Sequence, residues 1–152
     1  MYSIVNVLDF TQRVDEGIAY IHDKWGDEDN LVFYQNCVEH SLNDRAGIPR
    51  FYLMLKDDKI VGCFALLTND LISRQDLYPW FACLYIEESE RGQRLSEKMF
   101  VEAFAEAKRA GFDTLYLTTD HIDLYEKYGW ERIEDGYEPD GERVRIYRRP
   151  CV

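Results

Sequence analysis

The chain has 152 residues, a length that indicates one domain able to bury about two thirds of its unfolded surface. Hydrophobic residues make up 46% of the chain and aromatic residues 14%, which excludes a disordered protein. The formal net charge of −11 argues against nonspecific nucleic-acid binding, and it favours cationic partners such as amines.

The sequence contains no apolar run that approaches the length of a membrane span, and Met1-Tyr2-Ser3 does not begin a signal peptide. The cysteines stand singly, without the paired spacing of a zinc site: Cys37, Cys63, Cys83 and Cys151. Such cysteine usage is typical of a reduced protein. We therefore expect a cytoplasmic protein with no membrane segment and no bound metal.

The first quarter of the chain predicts a strand and two helices. Ser3–Leu8 has the pattern of a strand, and Asp9 or Thr11 is placed to cap a helix that runs to about Lys24. After a polar break, apolar residues four apart predict a second helix over Leu31–Leu42.

Three strands follow. Phe51–Lys56 and Ile60–Leu67 flank the short polar turn Asp57–Lys59, which predicts a hairpin. A loop over Thr68–Pro79 leads into the apolar run Trp80–Ile86, which reads as a buried strand.

A long amphipathic helix comes next. Leu95, Met99, Ala103 and Ala107 recur every four residues and form a stripe wide enough to pack on a sheet. Gly111 closes this helix, where a left-handed residue is wanted.

The last part predicts a buried strand at Thr114–Thr118, a short helix at Ile122–Tyr128 and a strand that begins at Trp130. Pro139–Gly141 turns a final hairpin into the strand Val144–Arg148. The whole order predicts a single domain of mixed α/β (α+β) class, whose central sheet is mostly antiparallel and flanked by helices.

The junction between the Trp80–Ile86 strand and the long helix has the features of an anion site. A strand that leads through a short loop into a helix directs unpaired backbone N–H groups at one place, and the helix dipole adds positive charge there. Arg91 and Arg94 add two guanidinium groups, and Gly92 allows a ligand close to the backbone. The alternative is a capped helix with surface arginines.

Two segments resemble motifs of the GNAT superfamily of N-acetyltransferases. Arg91–Ser96 resembles its pyrophosphate-binding motif, and Leu124–Trp130 resembles its Phe-Tyr-x-x-x-Gly-Phe segment. The chain departs from the first motif at Arg94, where the family usually has glycine, and at Ser96, which replaces a glycine or alanine. The resemblance implies a GNAT-like fold over residues 1–152, with acetyl-CoA as cosubstrate between the Trp80 and Thr114 strands.

The resemblance also implies which residues contact the coenzyme. A splay at the end of the Trp80–Ile86 strand would free backbone N–H groups for the thioester and pantetheine, and the loop beyond it would hold the pyrophosphate. The implied contacts are Leu84, Tyr85, Ile86, Arg91, Gly92, Gln93, Arg94, Leu95 and Ser96.

Acetyl transfer needs an amine that has lost its proton and a leaving thiolate that gains one. The position of Tyr125 in its motif implies the acid that protonates sulfur, since a tyrosine holds its proton at neutral pH. Removing the proton of a lysine-like amine at pH 7 costs about 4.6 kcal/mol, so a base is worthwhile. The sequence leaves its identity open among Asp76, Glu87, His121 and a water path.

We interpret the chain as an N-acetyltransferase that moves an acetyl group directly to a primary amine of a small molecule or protein, because no cysteine or serine is placed as an acyl carrier. A non-catalytic acyl-CoA-binding or regulatory module is the competing hypothesis. By resemblance alone, Tyr34, Glu39 and His40 are acceptor-site candidates, although surface or lid roles are favoured. The sequence does not show whether a homodimer forms.

Overall fold

The computed structural model describes residues 1–43, 47–119, 121 and 124–151, and these form a seven-stranded mixed sheet flanked by helices. The strands are β1 Tyr2–Asn6, β2 Arg50–Lys56, β3 Lys59–Leu67, β4 Trp80–Ile86, β5 Thr114–Thr119, β6 Glu131–Tyr137 and β7 Arg143–Pro150. The α-helices are α1 Val14–Trp25, α2 Leu31–Glu39 and α3 Leu95–Arg109, and short 3₁₀ helices lie at Val7–Asp9, Glu88–Glu90 and Tyr125–Tyr128. The predicted fold class is confirmed.

The strand order in the sheet is β1-β2-β3-β4-β5-β7-β6. Neighbouring strands are antiparallel except β4 and β5, which run parallel. The last strand of the chain, β7, lies inside the sheet between β5 and β6, an arrangement that the sequence pattern did not reveal. Among the described residues, no helix is both long enough and apolar enough to span a membrane.

Strand β2 shows how both faces of the sheet are covered. Tyr52 and Met54 belong to the core on the α3 face, whereas Leu53 and Leu55 belong to the core beneath α1 and α2. Successive side chains of a strand point to opposite faces, so a strand covered on both sides reads as a continuous apolar run. This explains the unbroken hydrophobic stretch of β2.

Helix α3 follows its predicted pattern. The stripe Leu95, Met99, Ala103 and Ala107 is buried against the sheet. Gly111 follows the helix with φ +95°, a left-handed conformation that a glycine adopts without strain.

The predicted start of the first helix is wrong. The side chain of Asn6 accepts the Leu8 N–H at 3.0 Å and starts the 3₁₀ helix Val7–Asp9, so the chain turns before α1 begins at Val14. Neither Asp9 nor Thr11 caps α1, because the residue in that position is Arg13, which makes no side-chain cap. Strand β1 therefore ends at Asn6 instead of Leu8.

The second helix also ends earlier than predicted, at Glu39 instead of Leu42. The Ser41 hydroxyl donates to the carbonyl oxygen of Val38 at 2.6 Å and satisfies one of the last carbonyls of the helix. Near the carboxyl end of the chain, the described part of the predicted helix Ile122–Tyr128 is the 3₁₀ helix Tyr125–Tyr128, and Ile122 and Asp123 lie outside the described residues.

Candidate active site

Strand β4 changes its path at Cys83. Cys63 of β3 pairs with Tyr85, but Ala65 pairs with Ala82, so β4 contains one extra residue between these pairs. Cys83 has φ +57°, the backbone conformation that absorbs the extra residue as a β-bulge. The Cys63 thiol donates to the carbonyl oxygen of Cys83 at 3.3 Å and holds the bulge in place.

Before the bulge, β4 also pairs with β5. The two strands pair at Trp80 and Tyr116, and the Tyr116 N–H donates to the carbonyl oxygen of Pro79 at 3.1 Å. Within the part of the chain that the structure describes, β5 makes no ladder pairing with β4 beyond this point. The predicted segment Leu84–Ile86, which is half-buried, therefore follows the point where two parallel strands part.

Beyond β4, the chain reaches α3 through a segment with free donors. Gly92 has φ +88° and Arg94, the residue before α3, has φ +57° and makes no side-chain cap. No described residue accepts a hydrogen bond from the backbone N–H groups of residues 92–96. No atom of another residue lies within 4 Å of the place that a Gly92 side chain would occupy. The segment is therefore an open N-terminus of a fifteen-residue helix.

The two arginines of this segment lie on aromatic rings at its two sides. Arg91 donates from Nε to the carbonyl oxygen of Ile86 at 2.8 Å, and its guanidinium lies 5.4 Å from the ring centroid of Tyr85. The Arg94 guanidinium lies 5.0 Å from the ring centroid of Tyr128. Both side chains are exposed, so their positive charge remains available to an anion between them.

The other predicted coenzyme residues of this segment differ in what their side chains can reach. Gln93 donates from Nε2 to the carbonyl oxygen of Glu90 at 3.0 Å, and Leu95 is buried in the core beneath α3. Only the backbone of Leu95 is therefore available to a ligand. Ser96 is half-buried in the first turn of α3.

Tyr125, the predicted acid, packs beside α3. Its ring centroid lies 6.3 Å from that of Phe100, 6.1 Å from Tyr147 and 6.5 Å from Trp130. Burial, followed by the neighbouring Tyr128, raises the pKa of the Tyr125 hydroxyl, which makes no hydrogen bond to a described residue. Neighbouring rings therefore fix the position of the Tyr125 ring, and its hydroxyl keeps its proton and has no hydrogen-bond partner among the described residues.

Two of the predicted base candidates are committed to ion pairs. Arg74 donates to both oxygens of Asp76, at 2.9 and 2.8 Å, and holds the pKa of this exposed carboxyl below its usual value. Glu87 accepts from the Tyr20 hydroxyl at 2.5 Å and pairs with Lys24 at 3.2 Å, and these contacts lower its pKa. Lowered pKa values make both carboxylates weak bases.

The third base candidate, His121, is exposed, and its backbone N–H donates to the Thr119 hydroxyl at 3.0 Å. The acceptor-site candidates make local contacts. The Tyr34 hydroxyl donates to the carbonyl oxygen of Trp25 at 3.0 Å, and His40 Nδ1 lies 2.9 Å from the carbonyl oxygen of Asn36. Glu39 is exposed and lies 3.4 Å from the amide of Gln35.

Asp70 has the environment that these candidates lack, and the sequence interpretation missed it. It is half-buried and makes no hydrogen bond or ion pair with a described residue, and burial, followed by the charge of Glu138, raises the pKa of its carboxyl to about 7. Burial is the main cause that raises the pKa of the Cys83 thiol in the bulge and of the Tyr34 hydroxyl in α2, and the charge of Asp70 adds to both. The available sequence signal was an acid followed by the apolar pair Leu71-Ile72 in the loop before β4.

Comparison with known proteins identifies the class. A family profile described as an acetyltransferase (GNAT) domain matches residues 48–132, more than half of the chain. The chain belongs to the GNAT acetyltransferase family, which confirms the predicted resemblance. No curated protein sequence matches it significantly.

Solved structures share this fold over almost the whole chain. One is an aminoglycoside 6'-N-acetyltransferase complexed with coenzyme A, with a TM-score of 0.71 and 15% sequence identity. The match covers 99% of this chain and 97% of the chain of that enzyme. An aminoglycoside 6'-acetyltransferase type Ii reaches 0.70 at 14% identity, with 100% and 97% coverage. An acyl-CoA N-acyltransferase from Pseudomonas aeruginosa reaches 0.63 at 19% identity, with 98% of both chains covered.

Proposed function

We propose that this protein is an N-acetyltransferase that moves an acetyl group from acetyl-CoA to a primary amine of a small molecule or protein, directly within a ternary complex. The observation that carries the proposal is the course of one strand. Within the described residues, strand β4 pairs with β5 only before its bulge, and it then leads into a helix N-terminus whose backbone N–H groups have no partner among those residues.

This arrangement suits the two parts of the coenzyme. The N–H groups of residues 92–96, the α3 dipole and the guanidinium groups of Arg91 and Arg94 favour a pyrophosphate. The pantetheine arm would lie along Leu84–Ile86, where β4 has no ladder partner on the β5 side among the described residues. A backbone N–H near the bulge would stabilise the thioester oxygen as it becomes negative.

The reaction then needs a proton on the leaving sulfur. Tyr125 suits this step because burial raises the pKa of its hydroxyl, which therefore keeps its proton at neutral pH and can donate it as negative charge develops on the departing sulfur. Its hydroxyl is free of competing hydrogen bonds to described residues, and its ring is held among Phe100, Trp130 and Tyr147.

Direct transfer is favoured over an acyl-cysteine intermediate. Cys83 is the cysteine of the bulge, and burial, followed by the charge of Asp70, raises the pKa of its thiol to about 12. A nucleophilic cysteine must be a thiolate, and this environment disfavours the thiolate.

Binding of the coenzyme can be tested by thermal unfolding with acetyl-CoA, CoA and ATP. A specific ligand at a hundredfold excess over Kd adds about 2.7 kcal/mol, which raises Tm by several degrees. We expect acetyl-CoA and CoA to stabilise the protein and ATP to leave Tm unchanged. Equal stabilisation by ATP, or none by either CoA species, would refute the coenzyme site.

The enzymatic role can be tested with Tyr125→Phe in an assay of CoA release with a panel of primary amines. Loss of a general acid should lower kcat about a hundredfold or more without weakening acetyl-CoA binding. Tyr128→Phe is the matched control, because it removes a hydroxyl from the same short helix and keeps the ring beneath Arg94.

The competing hypothesis, a non-catalytic acyl-CoA-binding or regulatory module, predicts coenzyme binding without turnover of any amine. The aminoglycoside acetyltransferase structures support beginning the panel with small-molecule amines before protein substrates.

A further inference from the structure

The base that accepts the proton of the amine has no assigned residue, and the position of Asp70 points to one. Asp70 lies in a turn of residues 69–72 between β3 and β4. Asn69 closes this turn through two contacts with Ile72, a hydrogen bond from the Ile72 N–H to Asn69 Oδ1 and one from Asn69 Nδ2 to the Ile72 carbonyl oxygen, both 3.2 Å. Leu71 adopts φ +55° within it.

The turn is anchored to the sheet and therefore holds Asp70 in place. Ile72 is buried with Trp80 and Ile146. Next to it, the Ser73 N–H donates to the carbonyl oxygen of Tyr137 at 2.9 Å, and the Ser73 hydroxyl accepts the Tyr137 N–H at 3.0 Å. A catalytic group is effective only when its scaffold fixes its position, and these contacts supply that fixation.

The loop that carries Asp70 begins beside β4, because Leu67 at the end of β3 pairs with Trp80, and Leu67, Tyr34 and Cys83 pack against the same core. The Asp70 charge acts on the Cys83 thiol in β4 and on the Tyr34 hydroxyl in α2, and the charge of Glu138, just after β6, acts on Asp70. Asp70 therefore lies near the start of the segment proposed to hold the thioester.

The carboxylate also remains free to act. Buried polar atoms without a partner occur in the described part of the chain, and neither oxygen of Asp70 is among them, so the carboxylate keeps contact with solvent. It has no hydrogen bond or ion pair with a described residue, in contrast to Asp76 and Glu87. A base must be unpaired to take a proton, and its pKa should lie near the working pH.

We propose that Asp70 is the general base of this enzyme, and that it takes a proton from an acceptor that arrives as a positively charged ammonium group. The proposal rests on the proposed N-acetyltransferase function. The neighbouring groups Tyr34, Cys83 and Glu138 are neutral or negative, which favours a cation over an anion at this place.

The proton balance of the reaction is complete with Asp70 and Tyr125. Asp70 takes one proton from the ammonium group, and the freed lone pair forms the C–N bond with the thioester carbonyl carbon. The C–S bond breaks with its electron pair on sulfur, which takes the proton of Tyr125. The amide nitrogen loses its second proton, which restores Tyr125 through solvent, and Asp70 returns its proton to solvent.

The test compares wild type with Asp70→Asn in acetyl transfer to benzylamine, which is an ammonium ion at neutral pH, and to aniline, which is not. In wild type, kcat/KM for benzylamine should rise with pH through an apparent pKa of about 7, because only the ionised Asp70 is a base. Asp70→Asn should lower this rate about 10²- to 10⁴-fold and remove the acidic limb. The loss for aniline should be much smaller, because neutral aniline has no proton to lose before its nitrogen attacks the thioester.

Two control variants separate this role from a general effect of charge. Asp76→Asn removes the exposed, Arg74-paired carboxylate of the same loop and should leave the pH profile unchanged. Glu138→Gln should keep the maximal rate but move the acidic limb to lower pH, because the charge of Glu138 raises the pKa of Asp70.

A carboxyl NMR titration of the same protein tests the proposal without any acceptor. A midpoint near 7 is expected for Asp70, and a midpoint near the ordinary value of about 3.9 would overturn the proposal. An unchanged acidic limb in Asp70→Asn, in a protein still stabilised by acetyl-CoA, would overturn only the role of Asp70. Failure of acetyl-CoA to stabilise wild type would instead refute the acetyltransferase itself.

Discussion

The two proposed binding regions beside strand β4 consist of different chemical groups. Towards α3, the proposed contacts are mostly backbone N–H groups, set by Gly92 with φ +88° and Arg94 with φ +57°. Towards the turn of residues 69–72, the proposed contact is one side chain, Asp70, whose properties depend on burial and on a neighbour distant in sequence, Glu138. A site built from backbone groups tolerates the loss of a side chain but not a change of backbone conformation. The acceptor side should instead be sensitive to the loss of one side chain.

The largest expected effect is on stability, on the acceptor side. Because the folded-state pKa of Asp70, about 7, lies above its unfolded value, the folded protein binds more protons between about pH 4 and 7. The stability that this provides is present at low pH and is lost as pH rises through 7. Asp70→Asn should therefore raise the free energy of unfolding at neutral pH by on the order of 2–4 kcal/mol. Urea unfolding at several pH values measures it, and a variant less stable than wild type at neutral pH would contradict it.

The next effect concerns the backbone on the coenzyme side. Gly92→Ala has space for its methyl group, so its penalty is the left-handed conformation, about 1–2 kcal/mol. We expect the affinity for acetyl-CoA to fall about five- to thirtyfold, measured by calorimetry. Gly141→Ala is the matched control, because Gly141 has φ +89° and equally open space but lies in the distant β6–β7 turn. Equal losses of affinity in the two variants would mean that the effect is not local.

A smaller effect is expected at Glu87, which we interpret as structural. Contacts with Tyr20 and Lys24 lower its pKa, so its contribution to stability is present above its unfolded pKa and is lost as pH falls. Glu87→Gln should lower the free energy of unfolding by about 1 kcal/mol at neutral pH, measured by urea unfolding, and should retain the kcat of wild type. Asp23→Asn, which removes the more exposed partner of Lys24, should change stability less. A large loss of kcat in Glu87→Gln would restore Glu87 as a base candidate.

The smallest effect concerns a single side-chain charge on the coenzyme side. Arg94→Ala should raise KM for acetyl-CoA about two- to fivefold with little change in kcat, because one exposed charge contributes about 0.3–1 kcal/mol. The difference should shrink as salt is added. Lys108→Ala removes a charge at the other end of α3 and should leave KM unchanged. A KM for Arg94→Ala equal to that of wild type would remove Arg94 from the coenzyme site.

The sequence predicted the elements that depend on local pattern. The bounds of β4 match and the predicted stripe from Leu95 lies on α3, because an apolar run and a four-residue period result directly from burial. The start of α1 was missed because Asn6 competes for the backbone and starts a 3₁₀ helix first.

Properties that arise from tertiary contact could not be predicted in this way. The place of β7 between β5 and β6 depends on pairing across the whole sheet. The bulge at Cys83 depends on a left-handed backbone conformation, which a cysteine in the sequence does not predict. Asp70 and Asp76 are both aspartates of one loop, yet one becomes unpaired and half-buried and the other exposed and paired with Arg74, which only the folded chain decides.

The parallel contact at Trp80 and Tyr116 has a mechanical consequence. It joins two antiparallel blocks, one of β1, β2, β3 and β4 and the other of β5, β7 and β6, and the described strands within each block pair through longer ladders. We therefore expect the sheet to open locally between β4 and β5, and each block to exchange its amide hydrogens as one cooperative unit. A ligand bound between β4 and β5 would contact both blocks, and it would therefore slow amide exchange in both of them.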